Sequence, residues 1–109
     1  MFSKNDDVII KLDILLNKMP RKAIILWALE LAKETVDLFE TKYISERRPR
    51  TAIIMTRKWV LGEIKMSVDK RAILDCHVVA KEINSVINIA RCHAIGQACG
   101  TAHTTNHAT

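Results

Sequence analysis

Turn-forming residues are nearly absent from this chain: three glycines and two prolines stand among 109 residues. That scarcity disfavours turn-rich all-β architectures and collagen-like repeats, and leaves too few glycines for a phosphate-cradling loop. Aromatic residues make up only 5%, and no apolar run approaches the ~20 residues of a membrane span. The opening MFSKNDDVIIKLDILLNKMPRK mixes Asp, Asn and Lys into its apolar positions, which excludes a signal-peptide core. A cytoplasmic protein without membrane attachment is expected. The three cysteines form no CxxC pair, and an odd number without an export signal argues for reduced thiols. HExxH, nucleophile-elbow, Walker and dinucleotide motifs are all missing. No enzyme, metal or cofactor is therefore expected.

What is present is apolar periodicity. Hydrophobic residues make up 49% of the chain, enough for a core, and the length fits a single helical domain over 1–109. Asn5 and Asp6 can cap a first helix carrying Val8, Ile9, Leu12, Leu15 and Leu16 on one face, and Pro20 marks a break. A second helix is expected from Arg21 to about Tyr43. It carries two stripes, Ile24, Trp27, Ala28, Leu31 and Leu38 beside Ile25, Leu29, Ala32, Val36 and Phe39, and so reads as the central helix with two sets of neighbours.

Pro49 favours a helix start, and the third helix is expected from about Arg50 to Lys65. Its inner face is Ala52, Ile53, Thr56, Trp59 and Val60, and the stripe continues to Glu63, read as paired or exposed near the helix end. Ser67 is the expected cap of a fourth helix through about Ile83, with Ala72, Cys76, Val79, Ala80 and Ile83 inward. Asn84 and Ser85 punctuate before a fifth begins near Val86. The predicted fold is all-α, about five helices in a compact antiparallel bundle or an orthogonal helical array.

Chemistry-bearing residues concentrate at the end of the chain. On a helix from 86 to about 103, His93, Gly96, Gly100, His103 and His107 share roughly a quarter of the circumference, with Cys92 and Cys99 beside them. Small inward residues let another backbone approach closely, and a tight helix contact with satisfied histidines accounts for the composition. Cys92 and Cys99 stand about 10.5 Å apart along the axis, too far to share one zinc with bonds of about 2.0 to 2.3 Å. Cys99 with His103, or His103 with His107, has chelating spacing but needs ligands from elsewhere, and Asp75 and His77 are the evident donors. The candidate polar cluster is therefore Asp75, His77, His93, His103 and His107. Cys76 and His77 diverge by about 100° on a helix and cannot act as nucleophile and base together, whereas Cys76 with His93 is open to geometry.

Two charged groups complete the inventory. Arg47, Arg48 and Arg50, followed by Arg57 and Lys58, form a candidate basic patch, read mainly as a solvated helix start and secondarily as a contact for phosphate or an acidic protein. Glu30, Glu34, Asp37 and Glu40 form a candidate acidic patch. The net charge of +5 bears on solubility and steering rather than on fold.

The ordered strings ERRPRTAI, RKWVLGEIKMS, KRAILDCHVVAKEI and ARCHAIGQACGTAHTTNHA carry a resemblance. From MPRKAIILWALELA onward the chain resembles the bacterial proteins labelled putative immunity proteins, small helical members of toxin-immunity systems. The resemblance implies a cytoplasmic helical protein without catalytic residues that neutralises a cognate toxin by stoichiometric binding. Family members continue past the TAH-x-x-x-HA motif with further helical residues, whereas this chain ends at Thr109. Loss of a C-terminal helical segment would expose the glycine and histidine face and favour a homo-oligomer. A protein partner is thus expected, and neither membrane nor nucleic acid. The competing reading is a small enzyme or metal-binding protein with its site among Asp75, His77, His93 and His103.

Overall fold

The computed structural model describes residues 20–107, with side chains through His103. These residues form four helices, α1 (Arg21–Glu40), α2 (Arg48–Val60), α3 (Met66–Glu82) and α4 (Val86–His107). The helix expected around Val8 to Leu16, and the side chain of His107, lie outside the described residues. The fold is all-α, as the periodicity predicts.

Each helix end has a local cause. Pro20 precedes α1 and its carbonyl accepts the first-turn N–H groups of Ala23 and Ile24. Pro49 sits in the first turn of α2, where a missing N–H costs no helical hydrogen bond. That helix ends at Val60, short of the expected Lys65, because Gly62 takes a left-handed φ of 78°. The Gly62 N–H reaches Trp59 O at 2.9 Å and the Glu63 N–H reaches Lys58 O at 2.8 Å, which closes the last turn and turns Glu63 out to solvent. Ser67 is not the cap of α3: Lys65 holds that position without a side-chain bond, and Ser67 lies within the first turn. Ser85 does cap α4, its Oγ accepting from the Asn88 backbone at 3.4 Å and from the Asn88 side-chain amide at 3.0 Å.

Cross-helix contacts fix the packing. Glu30 with Arg57 and Glu40 with Arg50 run α1 antiparallel to α2. Thr56 with Asp69 and Arg48 with Glu82 do the same for α2 and α3, as do Cys76 with Cys92 and Asp69 with His103 for α3 and α4. Both α4 and α2 meet all three other helices, whereas α1 packs chiefly on α4. The inward Cys92, Ile95, Gly96, Cys99 and Ala102 of α4 are mostly small, so three neighbours can close on it. In α1 only the stripe Ile25, Leu29, Ala32, Val36 and Phe39 is buried, whereas Trp27, Leu31 and Leu38 are 46%, 46% and 53% exposed. One principal neighbour needs one stripe.

Candidate functional site

A wholly buried carboxylate stands at the junction of three helices. Asp69 in the first turn of α3 has no solvent exposure, so water cannot compensate its charge and partners must. The Thr56 hydroxyl on α2 donates to Oδ1 at 2.6 Å, and Nε2 of His103 on α4 lies 2.8 Å from Oδ2. A carboxylate acceptor places the ring hydrogen on Nε2. The Trp59 ring stacks on His103 at 4.0 Å and 21°, screening the pair from solvent. Nδ1 of His103 is buried and meets no hydrogen-bond partner among the described residues.

Further along the same seam two histidines meet. His77 on α3 and His93 on α4 approach nitrogen to nitrogen, Nδ1 to Nδ1 at 3.0 Å, with ring centroids 5.2 Å apart. Burial and then the neighbouring His93 push the His77 pKa below its ordinary value, favouring the neutral ring. Each histidine follows a cysteine, and the Cys76 thiol donates to the Cys92 carbonyl at 3.4 Å, fixing the register of the two helices at that level.

The cysteines themselves are poor nucleophiles. Burial pushes the Cys76 and Cys99 thiols up to about 12 and the Cys92 thiol up to about 11, so the thiolate is scarce at neutral pH. The Cys76 and His93 pair left open by the sequence does not form, because each residue has another partner.

Arginines of the basic patch pair with most of the acidic patch. Arg50 reaches Asp37 at 2.6 Å and Glu40 at 2.8 Å, Arg47 reaches Glu40 at 3.4 Å, and Arg57 reaches Glu30 at 3.0 Å. Arg48 bridges Glu46 and Glu82, each at 2.6 Å, and holds both carboxyls below the usual carboxylate range. Arg47, Arg48 and Arg50 therefore do not make an uncompensated basic patch for phosphate.

A family model for the Imm-5 like putative immunity protein matches residues 14–109. The chain belongs to that family. No curated protein and no solved structure matches it. In this immunity-family protein the expected polar cluster divides. His77 and His93 come together, but His103 lies ten residues beyond His93 on α4, about 15 Å along the axis, and pairs with Asp69 instead. Asp75 is two residues from His77, so it leaves α3 on the other side and meets Arg71 at 3.3 Å. Among the described residues no three His, Cys, Asp or Glu side chains gather where a metal ion could sit. None of their helices is long and apolar enough to cross a membrane. Asp69 escaped the sequence reading although it carried a signal: it stands three residues before Ala72, on the same inward stripe as Cys76 and Val79.

Proposed function

We propose that this protein acts by binding, as a stoichiometric inhibitor of a cognate protein toxin, and that the seam between α1 and α2 is its docking face. Membership of the immunity family across residues 14–109 carries the reading. The seam supports it. Leu26, Trp27, Glu30, Arg57 and Leu61 line one shallow hollow, and Leu29, Lys33, Arg50, Ile53, Ile54 and Arg57 line the next. Trp27 at 46% and Leu61 at 56% exposure offer apolar area beside an Arg57–Glu30 pair, and Trp and Arg are the side chains that most often dominate protein interfaces.

The partner's character follows in part from charge. An inhibitor that imitates phosphate needs an uncompensated acidic face, and Glu30, Asp37 and Glu40 are already engaged by arginines. With a net charge of +5, long-range steering favours an acidic partner surface. The thiols and the buried Asp69 serve the core, so no reaction is assigned to them.

The test is co-expression with candidate toxins from the source genome, scored by growth protection and by the mass of the purified complex. A one-to-one complex that protects supports the inhibitor reading. Trp27→Ala with Leu61→Asp should abolish that complex while leaving the helical spectrum unchanged. A complex indifferent to both substitutions moves the interface elsewhere, and failure of every candidate toxin to bind or be neutralised sinks the inhibitor reading itself.

A further inference from the structure

Two imidazoles that meet nitrogen to nitrogen across a helix seam can share a hydrogen or share a metal ion. Two ligands bonded to one ion at about 2.0 to 2.1 Å stand about 2.9 to 3.4 Å apart for bond angles between roughly 90° and 110°. The Nδ1 atoms of His77 and His93 are 3.0 Å apart, within that span. We propose that His77 and His93 form an inter-helix bis-imidazole site for a borderline divalent transition metal ion, such as Zn2+, Ni2+ or Cu2+, with water completing the coordination.

The surroundings prepare both ligands. The ring of His77 lies against the backbone of Gly96, where a Cβ would stand 2.5 Å from its Cε1, so the small residue sets where that ring can lie. The thiol-to-carbonyl bond between Cys76 and Cys92 pins the two helices one residue before each histidine. His93 is exposed and His77 half-buried, which leaves one side of the pair open to solvent and to an entering ion. Imidazole nitrogen suits Zn2+, Ni2+ and Cu2+, whereas Mg2+ and Ca2+ prefer oxygen.

Proton bookkeeping is simple. In the metal-free pair one Nδ1–H donates to the other Nδ1. When the ion enters, that hydrogen passes to Nε2 of its own ring, and both Nδ1 lone pairs face the metal. Below the histidine range the site must also release a proton, so affinity falls with pH. The inference keeps His77 and His93 from the competing metal-binding reading of the sequence and drops Asp75, which pairs with Arg71. Spacing along α4 pointed instead to His103, which Asp69 occupies.

The experiment uses untagged protein, titrated calorimetrically with Zn2+, Ni2+ and Mg2+, and thermal unfolding in each ion. One equivalent of Zn2+ or Ni2+ should bind and raise the melting temperature, with no effect of Mg2+. His93→Gln, at an exposed position, should abolish binding while the metal-free protein melts as before, and His77→Gln should do the same to binding. Asp75→Asn should leave binding intact. Failure of Zn2+ and Ni2+ to bind overturns the proposal and leaves a hydrogen-bonded pair only. Binding that survives both histidine substitutions overturns it equally, since the ion then sits elsewhere.

Discussion

Gly96 and His77 compete for the same space: a Cβ on Gly96 would stand 2.5 Å from Cε1 of His77. Because the glycine is buried within α4, adding that carbon forces the imidazole aside or parts the helices. Gly96→Ala should destabilise the fold by about 1–3 kcal/mol, the ordinary cost of overpacking. With His77→Ala already present, the same change should be neutral or favourable, since alanine gains about 1 kcal/mol over glycine in a helix. Urea unfolding of the four proteins in the cycle decides, and additive effects would refute the coupling.

The His77 and His93 contact also gives stability a pH dependence. His77 is held below its ordinary value in the folded state, so between that depressed value and about 6.5 the unfolded chain binds the extra proton. The contribution is therefore complete above the unfolded value and is lost as pH falls through the folded one. Unfolding free energy measured from about pH 8 to about pH 5 should decline on the acid side, and the decline should shrink in His77→Gln. An unchanged slope in that variant would assign the dependence to other groups.

Removing one partner from the Asp69 junction should cost more than any surface change. Thr56→Val keeps the shape and deletes the donor to Asp69 Oδ1, leaving a buried acceptor short of a bond at a cost of about 1–3 kcal/mol. Asp69→Ala also strands His103 and should cost about 3–5 kcal/mol. Denaturant midpoints at constant slope provide the measurement.

The arginine ion pairs should be worth much less. Arg48→Ala removes contacts to Glu46 and Glu82 that are partly open to solvent, and should change stability by about 1 kcal/mol or less, with salt narrowing the difference. Arg50 is more enclosed and pairs with Glu40 through both Nε and Nη2, so Arg50→Met should lose somewhat more than Arg48→Ala. Paired melts at low and high salt test both statements, and equal losses at the two salt levels would contradict them.

How much of this was legible beforehand depends on whether the cause was local. Pro20, Pro49 and Ser85 mark helix starts through their own backbone chemistry, and each stands where the sequence placed it. The length of α2 is not legible, because its inward spacing runs on to Glu63 while the left-handed Gly62 that stops it is one residue. Periodicity finds apolar faces but not their neighbours. Both stripes of α1 were visible, yet only packing against α4 shows that Trp27 and Leu38 are turned outward. Charge counted along the chain likewise makes a basic patch of Arg48 and Arg50, although Glu82 and Glu40 on other helices partner them. Inward-pointing Trp59 is legible, and so is Asp69, from its place on the α3 stripe.

The buried thiols of α3 and α4 give the molecule built-in clocks. Cys76, Cys92 and Cys99 have no exposed surface in the native fold, and their protonated form is unreactive, so an alkylating reagent can label only molecules that have opened. The rate at each position then reports the opening of its own stretch of helix. Equal rates at all three would mean that the seam between α3 and α4 parts as one unit, whereas earlier labelling at Cys99 would mean that it unzips from the Asp69 and His103 end.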